Sequence, residues 1–521
     1  MTILHSGLPL TIPHALAHAA RSFGDAPAVE IDGRRVGFRE LETLARHAAR
    51  AFIAQGLGKG DRIAIWAPNS LEWIVATIGA QSVGGIVVPL NTRLKGREAG
   101  YVLARSGARM LCTVAEFLGV RYPQLLSGES LPALESTILL RGEAPGCLSM
   151  ETFLAGGAAV AESDARAALD RLSADDIADI IFTSGTTGAP KGVMSAHGQN
   201  IRVYHAWSEA VDLEREDRYL IVNPFFHTFG YKAGWVACLI RGATALPMAV
   251  FDAGVVLKRI AQERITFIPG PPTLFQSMLA HESCGKTDTS SLRIGGTGAA
   301  NVPPVLVRQM REVLGFKRVF TAYGLTESTG TVTACRAGDS DERVARTCGA
   351  AIPGVEIKCV DDDGRTVATG EAGEVLVRGF NVMRGYFDDS QATSEAIDPE
   401  GWLHTGDVGV IDEQGYLSIT DRKKDLYIVG GFNCYPAEIE KILSAHPAIA
   451  QVAVIGVPDE RMGEVGKAFV ILKPGQKSDG AAIIEWSREN MANYKVPRFV
   501  EIVQSLPLNA AGKVQKFALR A

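Results

Sequence analysis

Residues 183–192 read Thr-Ser-Gly-Thr-Thr-Gly-Ala-Pro-Lys-Gly and follow directly on the largely apolar segment 177–182. Glycines let a backbone turn tightly with its N–H groups facing an anion, hydroxyl groups donate further hydrogen bonds, and a lysine adds positive charge. The common phosphate loop needs a glycine before its lysine and a hydroxyl after it, whereas Pro190 and Gly192 flank Lys191. The stretch therefore predicts a buried strand followed by a polyphosphate-binding loop of a different kind.

Composition sets the size and class of the protein. A chain of 521 residues is too long for one ordinary domain. Its apolar content of 46% and charged content of 21% are typical of a globular protein. A formal net charge of −5 predicts no basic surface for nucleic acid. The eight cysteines lack C-x-x-C spacing, which favours reduced thiols in a cytoplasmic protein without a disulfide framework or structural zinc.

Residues 73–92 need separate consideration because they carry no charge and are long enough to cross a bilayer. Gln81, Gly84, Gly85 and Pro89 interrupt the segment. A buried helix followed by a short strand explains it better, so we expect no membrane span. The first 13 residues lack the basic and apolar segments of a signal peptide.

Short apolar runs alternate with helical patterns through most of the chain. Residues 39–55 place apolar side chains at helical spacing, and residues 62–67 follow as a strand closed by Pro68. The alternation predicts an α/β fold with parallel sheets covered by helices. It weakens between residues 121 and 175, which we expect to be variable connection, and it resumes after the phosphate loop.

The pattern changes near residue 350. Short strands divided by Gly and Asp turns predict a small β-barrel-like subdomain over residues 350–420. The charged run 421–425 then predicts a linker, and the helices and strands beyond it form a small α+β unit. We therefore expect a large N-terminal domain over residues 1–423 and a mobile C-terminal domain over residues 424–521.

Five motifs together resemble the core motifs of the adenylate-forming superfamily, which includes acyl-CoA synthetases, peptide-synthetase adenylation domains and firefly luciferases. They occur in that family's order across essentially the whole chain: residues 183–192, Tyr323-Gly-Leu-Thr-Glu327, Thr405-Gly-Asp407, Asp421-Arg-Lys-Lys-Asp425 and Asn509-Ala-Ala-Gly-Lys513. The resemblance implies an AMP-forming ligase that converts a carboxylic acid to an acyl-adenylate and then to an acyl-CoA. ATP, Mg²⁺ and CoA are the implied small molecules.

The resemblance also implies the nucleotide site. Tyr323 would stack on adenine against the turn 295–300, Asp407 would accept hydrogen bonds from the ribose, Arg422 would contact the nucleotide, and Glu327 would bind Mg²⁺. The implied ATP-binding residues are Thr183, Ser184, Gly185, Thr186, Thr187, Lys191, Gly298, Ala299, Ala300, Tyr323, Gly324, Thr326, Glu327, Asp407, Arg422 and Lys513.

The implied catalytic residues are Lys513, Glu327, His227 and Lys191. Lys513 would bond both the substrate carboxylate and the α-phosphate, and His227 would lie beside the reacting carboxylate. Lys424 matches the hinge about which the family's C-terminal domain rotates between the two half-reactions. The Gly430-Gly431 turn would let the thiol arm of CoA pass close to the backbone, where side chains would block it.

The acid is less well defined by the sequence. His227, Tyr231, Gly270, Pro271 and Thr273 would line the acyl pocket, whose apolar and aromatic character favours a hydrophobic acid. A medium- or long-chain fatty acid and the propionate of a partly degraded steroid both fit. A stand-alone adenylation enzyme that loads a carrier protein is the alternative activity, and a homodimer stays open.

Overall fold

The computed structural model describes residues 7, 9–184, 189–298, 302, 304–361, 363–422, 427–434, 436–507, 514 and 516–520. Strands and helices alternate in this part of the chain. The strands are β1 Pro27–Ile31, β2 Arg34–Gly37, β3 Arg62–Trp66, β4 Ile86–Pro89, β5 Met110–Val114, β6 Ser136–Arg141, β7 Leu148–Ser149, β8 Ile177–Ser184, β9 Pro190–Ala196, β10 Arg218–Ile221, β11 Thr244–Pro247, β12 Phe267–Gly270, β13 Ile294–Gly298, β14 Arg318–Tyr323, β15 Thr333–Ala334, β16 Ala350–Ala351, β17 Val355–Val360, β18 Ala372–Gly379, β19 Gly385–Tyr386, β20 Leu403–Ile411, β21 Leu417–Arg422, β22 Tyr427–Val429, β23 Phe432–Cys434, β24 Ile449–Asp459, β25 Gly463–Leu472 and β26 Phe499–Ile502.

Helices connect and cover these strands. The α-helices are α1 Ile12–Phe23, α2 Phe38–Ala54, α3 Leu71–Ser82, α4 Gly96–Ser106, α5 Tyr122–Leu125, α6 Met150–Gly156, α7 Glu162–Asp170, α8 His197–Ala210, α9 Thr228–Gly230, α10 Ala237–Arg241, α11 Ala253–Glu263, α12 Pro272–Ala280, α13 Pro304–Glu312, α14 Asp341–Arg346, α15 Ser390–Ala396, α16 Pro436–Leu443 and α17 Gly480–Asn490. Short 3₁₀ segments span Gly157–Ala159, Thr326–Ser328 and Lys516–Leu519, and a π-helical turn spans Tyr231–Val236.

Two large sheets form the N-terminal region. The first has the order β19-β9-β8-β4-β3-β5-β6-β7, in which β8 through β7 run parallel while β9 and β19 are antiparallel. The second has the order β16-β15-β14-β13-β12-β10-β11-β1-β2, with a parallel centre from β14 to β1. This arrangement confirms the predicted α/β class.

The covering helices follow the apolar periodicity of the sequence. Leu41, Ala45, Ala48 and Phe52 repeat at helical spacing along α2, and all four are buried. By contrast, α3 is buried on nearly every side after Glu72 in its first turn, which explains why residues 73–82 carry no charge. No helix in the described ranges is long and apolar enough to cross a membrane.

Two smaller units follow the large sheets. Strands β17, β18, β20 and β21 form a four-stranded antiparallel sheet in the segment predicted to be barrel-like. Beyond residue 427, a sheet built from β22 to β26 packs with α16 and α17 around its own hydrophobic core. The separate cores divide the described residues into an N-terminal region and a C-terminal region. The boundary predicted at residue 424 lies outside the described residues.

The structure corrects two sequence expectations. Residues 121–175 are not mere connection, because β6 extends the first sheet beside β5 and Phe153 of α6 packs on Phe52. These elements are too short to give a periodic signal. The expected turn at 295–300 begins as strand β13 instead. Its glycines are required because a Cβ at Gly296 would lie 2.3 Å from the ring of Phe320.

Candidate functional site

A cleft of about 2000 Å³ lies where the parallel strands of the second sheet and β8 of the first sheet end. Thr183 at the end of β8, Gly298 at the end of β13 and Tyr323 at the end of β14 all line it. Ligands of open α/β sheets bind at the carboxyl ends of strands, where the side chains of several loops converge. The sequence motifs therefore meet at the expected edge.

The phosphate-loop motif joins two antiparallel strands. Thr183 of β8 is the register partner of Lys191 of β9, and both residues line the cleft. The motif thus begins and ends on paired antiparallel strands, not at a boundary between a strand and a helix. Gly185, Thr186 and Thr187 lie outside the described residues, as does the side chain of Ser184.

Glu327 lies beside this hairpin, in the 3₁₀ turn after β14. Its Oε1 accepts hydrogen bonds from the Tyr386 hydroxyl at 3.1 Å and the Thr183 hydroxyl at 3.4 Å. The Lys191 ammonium lies 5.1 Å from the centre of the Tyr386 ring. Burial raises the pKa of Glu327 above its usual value, although both hydroxyl bonds oppose that shift.

Tyr323 and Asp407 meet on the other side of Glu327. The Tyr323 hydroxyl donates to Asp407 Oδ2 at 2.7 Å, and the Asp407 backbone N–H donates to the Thr405 hydroxyl at 3.1 Å. Asp407 is 5% exposed, so its carboxylate is held at a fixed position in the cleft wall. Gly324 and Thr326 also line the cleft, whereas Ala299 and Ala300 lie outside the described residues.

For Arg422 the structure describes only the position of the backbone. It pairs with Asp407 across β20 and β21, which puts it beside the predicted nucleotide site. Its side chain is not among those described.

His227 is the N-cap of the short helix α9. The Phe229 backbone N–H donates to His227 Nδ1 at 3.3 Å, so the neutral ring carries its proton on Nε2. The ring is accessible within the cleft, yet protein surrounds it deeply enough that desolvation, aided by the charge of Lys232, lowers its pKa to about 4. It is therefore neutral at physiological pH.

Several apolar side chains line the same cleft as His227. They include Phe226, Phe229, Ala233, Val250, Phe251, Leu274 and Val302. Pro271 and Thr273 line the cleft at the start of α12, and their assignment to an acyl pocket stays a prediction. This lining suits a bulky, largely apolar acid.

Two predicted pocket residues lie elsewhere. Tyr231 is fully buried, stacks on Trp235 at 5.1 Å and accepts a hydrogen bond from Gln81 at 2.8 Å. It packs in the core because the π-helical turn rotates its side chain away from the cleft. Gly270 is buried behind Leu274, since a Cβ there would lie 2.7 Å from that side chain. Neither residue lines the cleft, which corrects both predictions.

The C-terminal region closes one end of the cleft. Gly430 and Gly431 form the turn between β22 and β23 with φ angles of 54° and 87°, in the left-handed region that favours glycine. A Cβ on Gly431 would lie 3.2 Å from Pro271. The turn thus lies in the cleft beside Pro271, and its role in binding CoA stays a prediction. Lys424 and Lys513 lie outside the described residues.

Comparison with known proteins places this arrangement in a family. The model of the AMP-binding enzyme family matches residues 16–387, and that of the AMP-binding enzyme C-terminal domain matches residues 438–513. The chain belongs to the AMP-binding enzyme family. Within it, the chain is an AMP-forming acyl-CoA ligase of the adenylate-forming superfamily, as its motifs predicted.

Two curated relatives of this AMP-binding enzyme differ in their sequence identity to it. A Rhodococcus jostii ligase for 7a-methyl-1,5-dioxo-octahydro-1H-inden-4-yl propanoyl:CoA is 48% identical over 98% of both chains. A human mitochondrial medium-chain acyl-CoA ligase is 33% identical, over 93% of this chain and 83% of its own.

One solved relative matches in two complexes. A double mutant of the o-succinylbenzoate-CoA synthetase of Bacillus subtilis, with its product analogue OSB-NCoA bound, is 28% identical over 97% of this chain and 98% of its own, with a TM-score of 0.81. In complex with AMP, the same synthetase is 29% identical over 98% of each chain, with a TM-score of 0.68.

The residues around Glu327 fit a divalent cation that binds with ATP. Mg²⁺ takes oxygen ligands and needs only one or two from the protein when phosphates and water supply the rest. The carboxylate of Glu327 and the hydroxyl of Thr183 are such ligands at the phosphate end of the cleft. The donors described for Glu327 are two neutral hydroxyls and a backbone N–H, so a cation would compensate its buried charge.

Sequence reasoning missed Tyr386 and a buried ion pair. Tyr386 joins the phosphate-loop lysine to Glu327, but a two-residue strand gives no sequence signal. The Lys232 ammonium lies 2.9 Å from Asp179 Oδ1 with both side chains fully buried, and Asn200 donates to Asp179 Oδ2 at 2.7 Å. Asp179 and Lys232 each stand as a lone charge in an apolar segment. That pattern could have predicted their pairing, because buried charges need partners.

Proposed function

We propose that this AMP-binding enzyme activates a propanoate carried on a steroid-derived bicyclic ring system and transfers it to CoA. The observation that carries the proposal is the 48% identity, over 98% of both chains, to the Rhodococcus jostii ligase for such an acid. A medium- or long-chain fatty acid is the second candidate, and its support is the 33% identity to the medium-chain ligase.

The cleft supports the bicyclic acid chemically. Flat apolar surface from Phe226, Phe229 and Phe251 suits fused rings, while ring ketones need hydrogen-bond donors. Thr273 and Ser277 are one helical turn apart on α12, and both line the cleft. Within the described ranges neither hydroxyl donates a hydrogen bond to the protein. We assign them to the ring ketones.

The first half-reaction needs the phosphate end of the cleft. A carboxylate oxygen of the acid attacks the α-phosphorus of ATP, the bond to the bridging oxygen of the β-phosphate breaks, and pyrophosphate leaves. In this proposal residues 183–187 and Lys191 hold the leaving phosphates, and Lys513 bonds the carboxylate and the α-phosphate. Tyr323 stacks on adenine and Asp407 accepts from the ribose. Glu327 would hold Mg²⁺, which neutralises phosphate charge when bound.

The second half-reaction needs the C-terminal turn. The CoA thiolate attacks the acyl carbon, the bond from that carbon to the AMP oxygen breaks, and AMP leaves. The turn at Gly430 and Gly431 gives the thiol arm room beside Pro271. Neutral His227 lies at the reacting carboxyl group, where its Nε2 proton can donate to an acyl oxygen without adding a buried charge. The predicted hinge at Lys424 belongs to this step.

A panel of acids tests the proposal. Pyrophosphate release and CoA consumption are followed in parallel with acetate, octanoate, palmitate and the bicyclic dioxo-propanoate. We expect kcat/KM for the bicyclic acid to exceed that for octanoate by about tenfold or more, because the rigid rings fill the pocket and their ketones are paired. A higher value for octanoate or palmitate would refute the assignment of the acid.

One variant makes the panel sharper. Thr273→Val keeps the size of the side chain and removes its hydroxyl, so KM should rise for the bicyclic acid while octanoate is unaffected. Equal changes for both acids would mean that Thr273 contacts no ring ketone. Release of AMP only when a carrier protein replaces CoA would favour the alternative activity.

A further inference from the structure

A buried ionic cluster joins the two regions of the molecule. The Lys495 ammonium lies 2.6 Å from Glu438 Oε1 in the C-terminal region and 3.0 Å from Glu98 Oε1 in the N-terminal region. The side chain of Lys495 is only 4% exposed, and those of Glu438 and Glu98 are 7% and 12% exposed. We call these three residues the interdomain triad. Surface ion pairs contribute little, but these charges are withdrawn from water and depend on each other.

Glu98 is fixed by its own helix. It lies in the first turn of α4, where its Oε2 accepts a hydrogen bond from the Lys95 backbone N–H at 2.9 Å. That bond caps the helix and holds the carboxylate in one orientation. The other oxygen, Oε1, faces Lys495. The N-terminal half of the contact is therefore pre-organised whether or not the C-terminal region is docked.

Neighbouring contacts place the triad next to the glycine turn. Tyr494 precedes Lys495, stacks on Phe432 at 4.6 Å and accepts a hydrogen bond from Asn91 at 3.1 Å. Phe432 directly follows Gly431, and the Arg93 guanidinium lies 4.3 Å from its ring centre. The position of the turn in the cleft is thus mechanically tied to the position of Lys495.

The contact between the regions depends on their arrangement. The chain aligns at a TM-score of 0.81 with a double mutant of the Bacillus subtilis synthetase bound to its product analogue, and at 0.68 with that synthetase in complex with AMP. Contacts that cross between the regions, such as Lys495 to Glu98, belong to the arrangement seen in this structure. The pair of Lys495 with Glu438 lies within the C-terminal region and survives any movement of it.

We propose that Lys495 is a positioning residue for transfer of the acyl group to CoA: by pairing with Glu98 it holds the C-terminal region where Gly430 and Gly431 enter the cleft. The proposal rests on the proposed CoA-dependent second step. We expect adenylate formation not to require the pairing, because the resemblance assigns that step to Lys513 and not to the glycine turn.

The charge balance of the triad suits a reversible contact. Burial alone would lower the pKa of Lys495, but Tyr494, Glu438 and Glu98 raise it well above its usual value, so the ammonium stays charged. Desolvation offsets much of the attraction within a buried pair. When the C-terminal region moves away, the Glu98 carboxylate becomes hydrated again. Glu438 continues to neutralise the charge of Lys495. The contact can therefore form and release in each turnover.

Separate half-reactions test the role. Pyrophosphate release is measured with octanoate and, in a second series, with the bicyclic acid. Acyl transfer is measured in single turnovers from preformed acyl-adenylate mixed with CoA. In Glu98→Gln, the amide oxygen can still cap α4 while the amide nitrogen faces the Lys495 ammonium. We expect acyl transfer to slow about tenfold, with pyrophosphate release within about twofold of wild type, because the docked arrangement is less populated.

A second variant and a control exclude a general defect. Lys495→Met should slow acyl transfer at least as much as Glu98→Gln, and the double variant should be no slower than Lys495→Met. Lys467→Met removes another lysine of the C-terminal region, whose partner Glu501 lies in the same region at 2.8 Å. It should leave both half-reactions unchanged. Equal slowing of both half-reactions in Glu98→Gln would overturn the proposal.

An activity-independent measurement separates this proposal from the choice of acid. Hydrogen exchange of the ligand-free protein should become faster over residues 490–496 and the first turn of α4 in both triad variants, but not in Lys467→Met. Unchanged exchange in Glu98→Gln would contradict the contact itself. If no acid released pyrophosphate, the proposed function would fail while the exchange result still decided the interdomain contact.

Discussion

Glu327 shows how a single residue couples stability to function. It lies deep in the cleft beside the phosphate loop, where burial raises the pKa of its carboxyl above the usual 4.5. Its described hydrogen-bond donors, two hydroxyls and a backbone N–H, are all neutral. A carboxylate in such a place destabilises the free protein and becomes favourable only when a cation and phosphates arrive.

The residue can therefore be removed at a gain in stability. Glu327→Gln keeps the hydroxyl hydrogen bonds and removes the charge, so we expect pyrophosphate release to fall by about a hundredfold or more while the thermal midpoint rises. The folded carboxyl holds its proton to higher pH than the unfolded one, so wild-type stability falls as pH rises above about 4.5 through the raised value.

Calorimetry over pH checks this sign. The stabilisation by Glu327→Gln should be small at pH 4 and larger at pH 8, where the wild-type carboxylate is ionised. Addition of Mg²⁺ and ATP should stabilise the wild type more than the variant. A variant that is less stable than wild type at pH 8, or that keeps full activity, would contradict this account of Glu327.

The glycine turn between β22 and β23 is the element that approaches the acyl group. Gly431 has a φ of 87°, and a Cβ there would meet Pro271 at 3.2 Å. Gly431→Ala should therefore slow acyl transfer to CoA by about tenfold or more, through both backbone strain and loss of room. Pyrophosphate release should be little changed, because the turn is not part of that step.

A second glycine gives a matched control for the strain alone. Gly475 also has a positive φ, of 77°, but nothing lies within 4 Å of a Cβ built there. Gly475→Ala should lower stability by about 1 kcal/mol and leave both half-reactions intact. If both alanine variants slowed acyl transfer equally, strain rather than approach to the cleft would explain the effect.

The strand that carries the phosphate loop is anchored by the pair of Asp179 and Lys232. Asp179 lies on β8, and Lys232 lies on the π-helical turn that follows His227 and α9. Desolvation raises the pKa of Asp179 and lowers that of Lys232, while their mutual attraction opposes both shifts. The pair thus fixes the phosphate side of the cleft relative to the acyl side.

Breaking the pair on one side should be costly. Lys232→Met leaves a buried carboxylate unpaired, and we expect the free energy of unfolding to fall by about 3–5 kcal/mol. The double variant Asp179→Asn with Lys232→Met removes both charges and keeps an acceptor for Asn200, so most of the loss should be recovered. Urea unfolding measures both. Equal losses in the two variants would mean that packing, not the unpaired charge, sets the cost.

At the scale of the whole molecule, two regions with separate cores share one cleft. The C-terminal region contributes the glycine turn in this arrangement, and the interdomain triad fixes that docking. Lys513, the lysine implied for the first step, lies on the same region and outside the described residues. One region would have to serve both steps, and movement about the hinge at Lys424 stays a prediction.

Proline at the hinge tests this movement. Lys424→Pro fixes φ at the predicted pivot, so we expect pyrophosphate release to persist while acyl transfer to CoA falls by about tenfold or more. Lys424→Ala should retain both half-reactions, since a hinge depends on its backbone rather than its side chain. Full acyl transfer in the proline variant would place the pivot elsewhere.

The sequence by itself determined the fold class, the family and the two-step reaction. These depend on local features: alternating apolar periods, glycine- and hydroxyl-rich loops, and five motifs in order. Thr183, Lys191, Glu327, Asp407, His227 and the glycine turn were all named from such features, and the structure brings them to one cleft. These features depend on residues that are adjacent in the chain, so they can be recognised in a single sequence.

Only the tertiary structure decided which side chains face the cleft and which join distant segments. Tyr231 was predicted to line the acyl pocket, yet a π-helical turn buries it against Trp235. Tyr386, the pair of Asp179 and Lys232, and the triad around Lys495 each bring together residues far apart in the chain. Such contacts depend on sheet order and on the docking of the two regions, and no local pattern encodes either one.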